Sequence, residues 1–221
     1  MEELASRFGD RGPQGFFREL AGHARESFNS KFWNEDAGCL FDVVNGSEKD
    51  ACIRPNQIFA VSLAHMMLPD DRARRVVDVV QHDLLTPLGL RSLSPRDPQY
   101  RPRYEGGVWE RDSAYHQGTV WPWLMGPFLT AYVKVNARRD DARAQAAEWL
   151  GAFHEHMLIG GLGQVSEIAD AEAPHEPRGC VAQAWSVAEL LRAAVEDVFV
   201  TAAVPGRSRK TRDRKRAAAG A

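Results

Sequence analysis

The sequence has few cysteines, little net charge and no long apolar run, and each shortage excludes a class of protein. Its three cysteines (Cys39, Cys52 and Cys180) form no C-x-x-C pair and leave one unmatched. We therefore expect no disulfide framework, and a reducing cytoplasmic location. The formal net charge of -2 argues against a nucleic-acid surface. No run is long enough to cross a bilayer, and the first residues lack the basic-then-apolar pattern of a secretory leader.

The sequence also lacks the spacing of His, Cys, Asp and Glu that forms metal centres, so we expect no metal and no cofactor. With 221 residues, 44% of them hydrophobic and 26% charged, the chain has the composition of one globular domain. We predict a polar lead-in over residues 1–12, a folded domain over 13–200 and a disordered tail over 201–221. The tail is basic and has no apolar face.

Helical spacing of apolar residues dominates residues 13–200, and no segment alternates strongly like a half-buried strand. The spacing predicts a first helix over 13–32 with a buried stripe that includes Phe16 and Leu20. Further helices are predicted after Pro55, over 69–85, from about Trp121, over 140–159 and after Cys180, with a short hairpin near Cys39. Apolar stripes are predicted on two of them: Val76, Val77, Val80 and Leu84 in the helix over 69–85, and Val187, Leu190, Leu191, Ala194, Val195 and Val198 in the last helix. Polar and aromatic residues concentrate in alternate connections. This pattern indicates stacked α-hairpins whose functional loops lie at one end.

The segment Y-H-Q-G-T-V-W-P-W-L-M-G-P-F, from Tyr115 to Phe128, carries two of the six tryptophans. An indole face stacks on the C–H face of a pyranose, while the imidazole, carboxamide and hydroxyl groups beside it supply directed hydrogen bonds. For either tryptophan alone, a core role is the favoured explanation, because large aromatic residues dominate cores. The combination favours a sugar site. A long ordered loop over 88–113, rich in Gly and Pro but containing Tyr and Trp, is expected to deliver side chains to it.

Two carboxylates lie in segments suited to a site. Asp42 follows two apolar residues and precedes two valines, so it is either paired, used in chemistry or a solvated turn residue. Glu167 lies in a short extended piece, Gln164 to Ile168, between glycines and an acidic loop that contains prolines. A carboxylate anchored on both sides in this way can project into a cleft.

Five motifs together resemble the C-terminal part of glycogen debranching enzymes, the amylo-α-1,6-glucosidase domain of the six-hairpin glycosidases. They are H-Q-G-T-V-W-P-W-L from His116, G-Q-V-S-E-I from Gly163, G-C-V-A-Q-A-W-S-V-A-E-L-L from Gly179, C-L-F-D-V-V from Cys39 and R-P-N-Q from Arg54. The resemblance implies an all-α fold, the (α/α)6 toroid of six helical hairpins. It also implies inverting hydrolysis of α-1,6-glucosidic branch points.

Inversion needs a general acid and a general base that stand roughly 6.5–9.5 Å apart, with a water between the base and the sugar. On the resemblance, Glu167 matches the general base. A further group of residues would hold the terminal glucose: Asp42, Asn56, Gln57, His116, Gln117, Trp121, Trp123, Gln183 and Trp185. The expected partner is a branched α-glucan such as glycogen or limit dextrin, and neither nucleic acid nor membrane.

The sequence departs from the family pattern in length. The family barrel is longer, and its general acid is an aspartate of an N-terminal half that has no counterpart here. We therefore expect the C-terminal half of the barrel, with another chain or segment supplying the acid, although Asp42, Glu110 and Asp112 are possible substitutes. The alternatives are another six-hairpin glycosidase, of trehalase or glucoamylase type, and a glucan-binding fragment without catalysis.

Overall fold

Helices form the framework of the domain. The computed structural model describes residues 1–9 and 11–200, so the tail predicted over 201–221 lies outside the described residues. The α-helices are α1 (Glu2–Arg7), α2 (Arg11–Lys31), α3 (Phe59–Ser62), α4 (Asp70–Leu84), α5 (Val108–Ala114), α6 (Met125–Val135), α7 (Asp140–Ile159) and α8 (Ala184–Ala193). Two 3-10 turns, Pro55–Ile58 and Pro122–Leu124, precede α3 and α6, and a π-helical turn, Ala194–Val198, extends α8.

Short antiparallel strands join the helices, and the sequence did not predict most of them. They are β1 (Trp33–Asn34), β2 (Cys39–Leu40), β3 (Val43–Asn45), β4 (Glu48–Asp50), β5 (Leu85–Thr86), β6 (Gly89–Arg91), β7 (Val120–Trp121), β8 (Ile168–Ala169) and β9 (Pro177–Arg178). β1 pairs with β2 and β3 with β4, while β5 to β9 form one sheet in that order. Strands of two or three residues are too short to show a period of two in the sequence.

The core lies around α6, which packs against α3, α4, α7 and α8. Phe128 and Leu129 of α6 are fully buried, as are Val76, Val80 and Leu84 of α4. The stripe on α4 was predicted from its spacing, and the structure confirms it. On α8 the prediction was right for Leu190 but wrong for Leu191, which is 62% exposed.

The prediction for α2 was half right. The helix exists, but the first part of its apolar stripe is not buried: Phe16 is 62% exposed and Leu20 is 53% exposed, whereas Phe28 near its end packs against the core. Among the described residues, α2 makes its main contacts with α1 and β1. Helical periodicity shows that a helix has an apolar face. Whether that face is buried depends on other elements, which the periodicity does not describe.

The elements that enter the candidate site are shorter than predicted. The helix after Pro55 consists of one 3-10 turn and one α-helical turn, because Leu63 adopts an extended conformation and ends it. The helix expected from about Trp121 begins at Met125, and Pro127 does not disturb it. Pro127 lies in the first turn of α6, where the missing N–H costs no intrahelical hydrogen bond. The loop predicted over 88–113 contains β6 and most of α5.

The five-stranded sheet brings the two functional stretches together. β7 pairs with β6 through Trp121 and Leu90, and with β8 through Val120 and Ala169. The aromatic stretch therefore lies beside the segment that carries Glu167. None of the described helices is both long and apolar enough to cross a membrane.

Candidate active site

Both carboxylate oxygens of Glu167 accept hydrogen bonds. Glu167 lies immediately before β8, and pairing with β9 brings Cys180 within reach. The N–H of Glu167 donates to the carbonyl of Cys180, and the N–H of Cys180 donates to Oε2 of Glu167, each at 2.9 Å. Oε1 accepts a hydrogen bond from the hydroxyl of Tyr115. The carboxylate is therefore fixed in orientation from two sides.

These contacts also set its protonation state. Burial raises the pKa of the Glu167 carboxyl, but the Tyr115 hydroxyl and the Cys180 groups stabilise the ionised form more, so the pKa lies below its ordinary value. Burial and the same hydrogen bond raise the pKa of Tyr115, so the phenol remains a donor. Glu167 is consequently ionised at neutral pH, which is the state that a general base requires.

An aromatic cleft of about 250 Å³ begins next to Tyr115. The ring of Tyr115 packs edge-on against Trp121 at 4.8 Å between centroids. His116 stacks on Trp121 at 5.3 Å, and Trp123 stacks on Trp185 at 5.3 Å. We call this space the aromatic cleft; its lining is Arg54, Pro55, Asn56, Ser92, His116, Trp121, Trp123, Leu124 and Trp185.

The rings of the aromatic cleft are fixed by contacts that leave indole surface free. Nε1 of Trp121 donates to the carbonyl of Tyr115 at 3.1 Å, so its polar atom is satisfied inside the protein. Burial, and then the nearby Arg54, lower the pKa of His116, so the imidazole is neutral at neutral pH. Trp121 is only 6% exposed and His116 covers one of its faces, so the free indole surface is that of Trp185, which is 46% exposed. A free indole face beside a neutral imidazole is a surface that the C–H face of a sugar can cover.

Arg54 organises the site, and the list of predicted ligands omitted it. Its Nη1 donates to the carbonyls of Ser92 at 3.1 Å and His116 at 2.6 Å. Its Nη2 donates to Oε1 of Gln117 at 2.6 Å. Its Nε lies 3.6 Å from a carboxylate oxygen of Asp42. One guanidinium thus joins three separate chain segments, and its planar fork of donors suits that role.

Asp42 lies in a second cleft, of about 270 Å³, which it lines together with Arg54, Asn56 and Gln57. Burial raises the pKa of Asp42, and the opposing effects of Arg54 and a hydrogen bond from Asn56 are smaller, so the net shift is upward. We call this space the Asp42 cleft. It meets the aromatic cleft at Arg54 and Asn56, which line both.

A third, wider cleft of about 690 Å³ opens on the other side of His116. Polar residues predominate in its walls, and we call it the polar cleft. It is lined by Arg54, Pro98, Gln99, Arg101, Asp112, Ser113, His116 and Gln117. Arg54 and His116 line both this cleft and the aromatic cleft, so the two spaces adjoin at these residues.

Two of the predicted glucose ligands, Gln57 and Gln117, use their side-chain amides in contacts within the protein. Gln57 is buried: its Oε1 accepts from the N–H of Leu40 at 3.3 Å, and its Nε2 donates to the carbonyl of Arg54 at 3.1 Å. Gln117 accepts from Arg54 and also donates to Gln99 at 2.9 Å. Their amide groups therefore hold the walls of the site together.

Gln183, another predicted ligand, lies away from the clefts. It precedes α8 at the capping position, and its N–H donates to the carbonyl of Val165 at 2.9 Å. Its side chain lines none of the three clefts named above. A substrate-binding role for Gln57, Gln117 and Gln183 stays a prediction, as it does for the ligands that line the clefts.

Sequence reasoning missed Tyr115, Arg54 and Cys180 as site residues. Tyr115 stands directly before the His116 motif and Arg54 is the first residue of R-P-N-Q. Their positions next to or within these motifs could have identified both as site residues. Cys180 offered no comparable signal, because its contribution is a backbone N–H that depends on the β8–β9 pairing. Within the described part of the chain, no three His, Cys, Asp or Glu side chains form a group suited to a metal ion.

With this geometry established, comparison with known proteins gives the family. A family model described as amylo-alpha-1,6-glucosidase matches residues 2–192. The chain belongs to this family. It is 36% identical over 90 residues to the glycogen debranching enzyme of Saccharomyces cerevisiae, a stretch that is 38% of this chain and 6% of that enzyme. The amylo-α-1,6-glucosidase resemblance of the five motifs is thereby confirmed, and the family is one of glycosidases.

Solved structures show the fold. The neutral trehalase Nth1 of Saccharomyces cerevisiae aligns with a TM-score of 0.59 and 14% identity, over 81% of this chain and 30% of that one. A mannosylglycerate hydrolase of family GH63 from Thermus thermophilus, in complex with glucose, aligns with a TM-score of 0.60 and 17% identity, over 87% and 43%. The predicted fold is confirmed: this chain forms part of an (α/α)6 toroid. It spans less than half the length of the structures it matches.

Proposed function

We propose that this chain carries the general base and part of the glucose site of a glycoside hydrolase that cleaves α-1,6-glucosidic branch points with inversion. The observation that carries the proposal is the state of Glu167. Its carboxylate is ionised and oriented by Tyr115 and Cys180, and Tyr115 packs against the tryptophan that floors the aromatic cleft. Membership of the amylo-alpha-1,6-glucosidase family supports the choice of bond.

In the proposed reaction, the terminal glucose stacks in the aromatic cleft. Glu167 takes a proton from a water, which attacks the anomeric carbon on the face opposite the leaving oxygen. A carboxylate already held ionised by two donors keeps its orientation while it accepts that proton. Trp123 and Trp185 supply ring surface above the buried Trp121, and His116 and Asn56 supply polar groups at the cleft wall.

The reaction also needs a general acid that protonates the leaving oxygen. We propose that it lies outside these 221 residues, in a segment or partner chain that completes the toroid. Among the possible substitutes within the chain, Asp42 has a pKa raised by burial and lies in the cleft next to the glucose site. A raised pKa suits a proton donor at neutral pH. Asp42 is therefore the residue to substitute first if the chain is active alone.

The deciding experiment measures glucose release from a branched limit dextrin by the purified chain, with Glu167→Gln as the control. Gln keeps the shape and one acceptor but cannot take a proton from water. Release by the parent chain that the Gln variant has lost would support Glu167 as the base. Undiminished release in the Gln variant would exclude it. Dextrin binding without release by the folded chain would support an acid supplied from elsewhere.

A non-catalytic glucan-binding role is the second candidate. Its supporting observation is that the aromatic cleft offers a surface on which a sugar can stack, and this surface does not depend on a general acid. Combining the chain with the segment that completes the toroid separates the two roles, since only the enzyme then releases glucose. Trehalose, tested in parallel, separates the debranching reaction from that of a trehalase-type enzyme.

A further inference from the structure

Trp109 is 82% exposed, although tryptophan is usually highly buried in a folded chain. It lies in the first turn of α5, the helix that leads directly to Tyr115 and thus to the contact with Glu167. Exposed aromatic residues next to a ligand cleft are typical of surfaces that bind a partner. Trp109 contributes to none of the three clefts, so the site described above does not account for it.

The helical geometry of α5 places Trp109 at the rim of the polar cleft. Side chains three and four residues apart lie on the same face of a helix. Asp112 and Ser113, three and four residues after Trp109, line the polar cleft. Trp109 therefore stands about 6 Å further along the same helix face, since each residue adds about 1.5 Å of rise.

The polar cleft extends from this rim towards the proposed reaction centre. It adjoins the aromatic cleft at Arg54 and His116, which line both spaces. Its volume of about 690 Å³ is larger than that of the aromatic cleft, about 250 Å³. A ligand with one sugar in the aromatic cleft can therefore extend past Arg54 and His116 and along α5 towards Trp109.

The chemistry of this path fits a chain of sugars. The amide of Gln99, the carboxylate of Asp112 and the hydroxyl of Ser113 offer hydrogen-bond partners of both kinds, as the hydroxyls of glucose require. The indole at the end offers a flat apolar face for stacking. A cleft wall rich in hydrogen-bonding groups that ends in one exposed aromatic ring suits a neutral oligosaccharide.

We propose that Trp109 and the polar cleft bind the glucan chain on the leaving-group side of the scissile bond, outside the glucose site. This inference rests on the proposed function, because it names where the rest of the same substrate lies. The aromatic cleft holds the terminal glucose, the polar cleft holds the next sugars, and the indole of Trp109 stacks on a sugar further along. Trp109 is thus a specificity residue for a polymer.

The test compares two ligands by calorimetric titration of the full chain: a branched limit dextrin, which reaches Trp109, and glucose, which does not. Trp109→Ala is expected to weaken dextrin binding about tenfold, and Trp109→Phe to restore part of it, because Phe retains a stacking face. Glucose binding is expected to be the same in both variants and the parent chain. Leu158→Ala, at another exposed apolar residue, on α7, should match the parent chain with both ligands.

Each outcome decides between the two proposals. Equal dextrin affinity in the parent chain and in Trp109→Ala would overturn the role of Trp109 and leave the proposed function standing. If Trp109→Ala melted like the parent chain but lost dextrin and glucose binding equally, the role of Trp109 in binding the rest of the glucan would also be overturned. Absence of dextrin binding in the parent chain would overturn both. Trp185→Ala, within the aromatic cleft, is expected to weaken binding of both ligands.

Discussion

The hydroxyl of Tyr115 donates a hydrogen bond to Oε1 of Glu167 across 52 residues of sequence. Tyr115 directly follows α5 and Glu167 directly precedes β8, so the contact joins two segments on either side of β7 in the sequence. The phenol is itself packed between aromatic rings, at 4.8 Å from both His116 and Trp121. The state of the proposed base therefore depends on the aromatic stretch that forms the glucose site.

Removal of this hydroxyl is expected to raise the pKa of Glu167. In the folded chain the pKa of Glu167 lies below its ordinary value of 4.5. The ionised carboxylate therefore stabilises the fold above pH 4.5, and this contribution is lost as the pH falls through the folded pKa. Tyr115→Phe should reduce the free energy of unfolding by about 1–2 kcal/mol at pH 7. As the pH falls through the folded pKa, the difference between the two chains should shrink, because the carboxyl is then protonated in both. Urea denaturation across this pH range measures the effect.

Tyr132→Phe is the matched control, since no hydrogen bond of the Tyr132 hydroxyl is found among the described residues and the ring is half-buried in a similar way. It should cost little at any pH. A cost of Tyr115→Phe that stays constant from pH 7 down to the lowest pH at which the chain remains folded would contradict the charge-assisted hydrogen bond. It would assign the role of Tyr115 to packing alone.

The sequence predicted those parts of the fold that depend on local pattern. The period of 3.6 residues placed α4 and its buried face, because Val76, Val80 and Leu84 pack on a helix of the same domain. The same period identified α2 but not the exposure of Phe16 and Leu20, since burial depends on elements that no local pattern describes. The strands were missed because pairs such as Val120 with Ala169 are set by tertiary contacts.

The candidate site was predictable as a set of segments and less so as a set of contacts. The motifs led to Glu167, Trp121 and Trp185, each of which lies in or next to the aromatic cleft. The contact between Arg54 and Gln117 spans 63 residues, so no spacing rule could reveal it. Gln57 was predicted as a ligand because its residue type suits sugars, but the structure uses both ends of its amide in backbone contacts.

Gly118 is expected to tolerate no side chain. Its φ is +145°, where L residues with a Cβ are strained, and its N–H donates to Oγ of Ser92 at 2.9 Å. A Cβ would lie 2.9 Å from the carbonyl carbon of Arg101 and from Cε2 of Tyr100. Gly118→Ala should therefore lower the free energy of unfolding by roughly 3 kcal/mol. Thermal and urea denaturation check this value.

Gly151→Ala supplies the control for that substitution. Gly151 lies within α7 with open space around the position of a Cβ, so Ala should raise the free energy of unfolding by about 0.5–1 kcal/mol through helix propensity. The two substitutions are chemically identical, and opposite signs are expected. A Gly118→Ala chain as stable as the parent would contradict the close approach of residues 100–101 to the aromatic stretch.

Arg54 is expected to be irreplaceable even by lysine. Lys retains the charge, but a single ammonium cannot reach the carbonyls of Ser92 and His116, the amide of Gln117 and the carboxylate of Asp42 in one plane. Arg54→Lys should cost roughly 2–3 kcal/mol in the free energy of unfolding, because buried acceptors lose their donors. Arg143→Lys, on the exposed face of α7, should cost far less.

Glucose binding, measured by calorimetry, should weaken in Arg54→Lys while the helical content by circular dichroism is unchanged, since the three clefts meet at this side chain. If Arg54→Lys left both stability and glucose affinity at parental values, the guanidinium would be a surface cation, and the walls of the aromatic cleft would be held by the backbone alone.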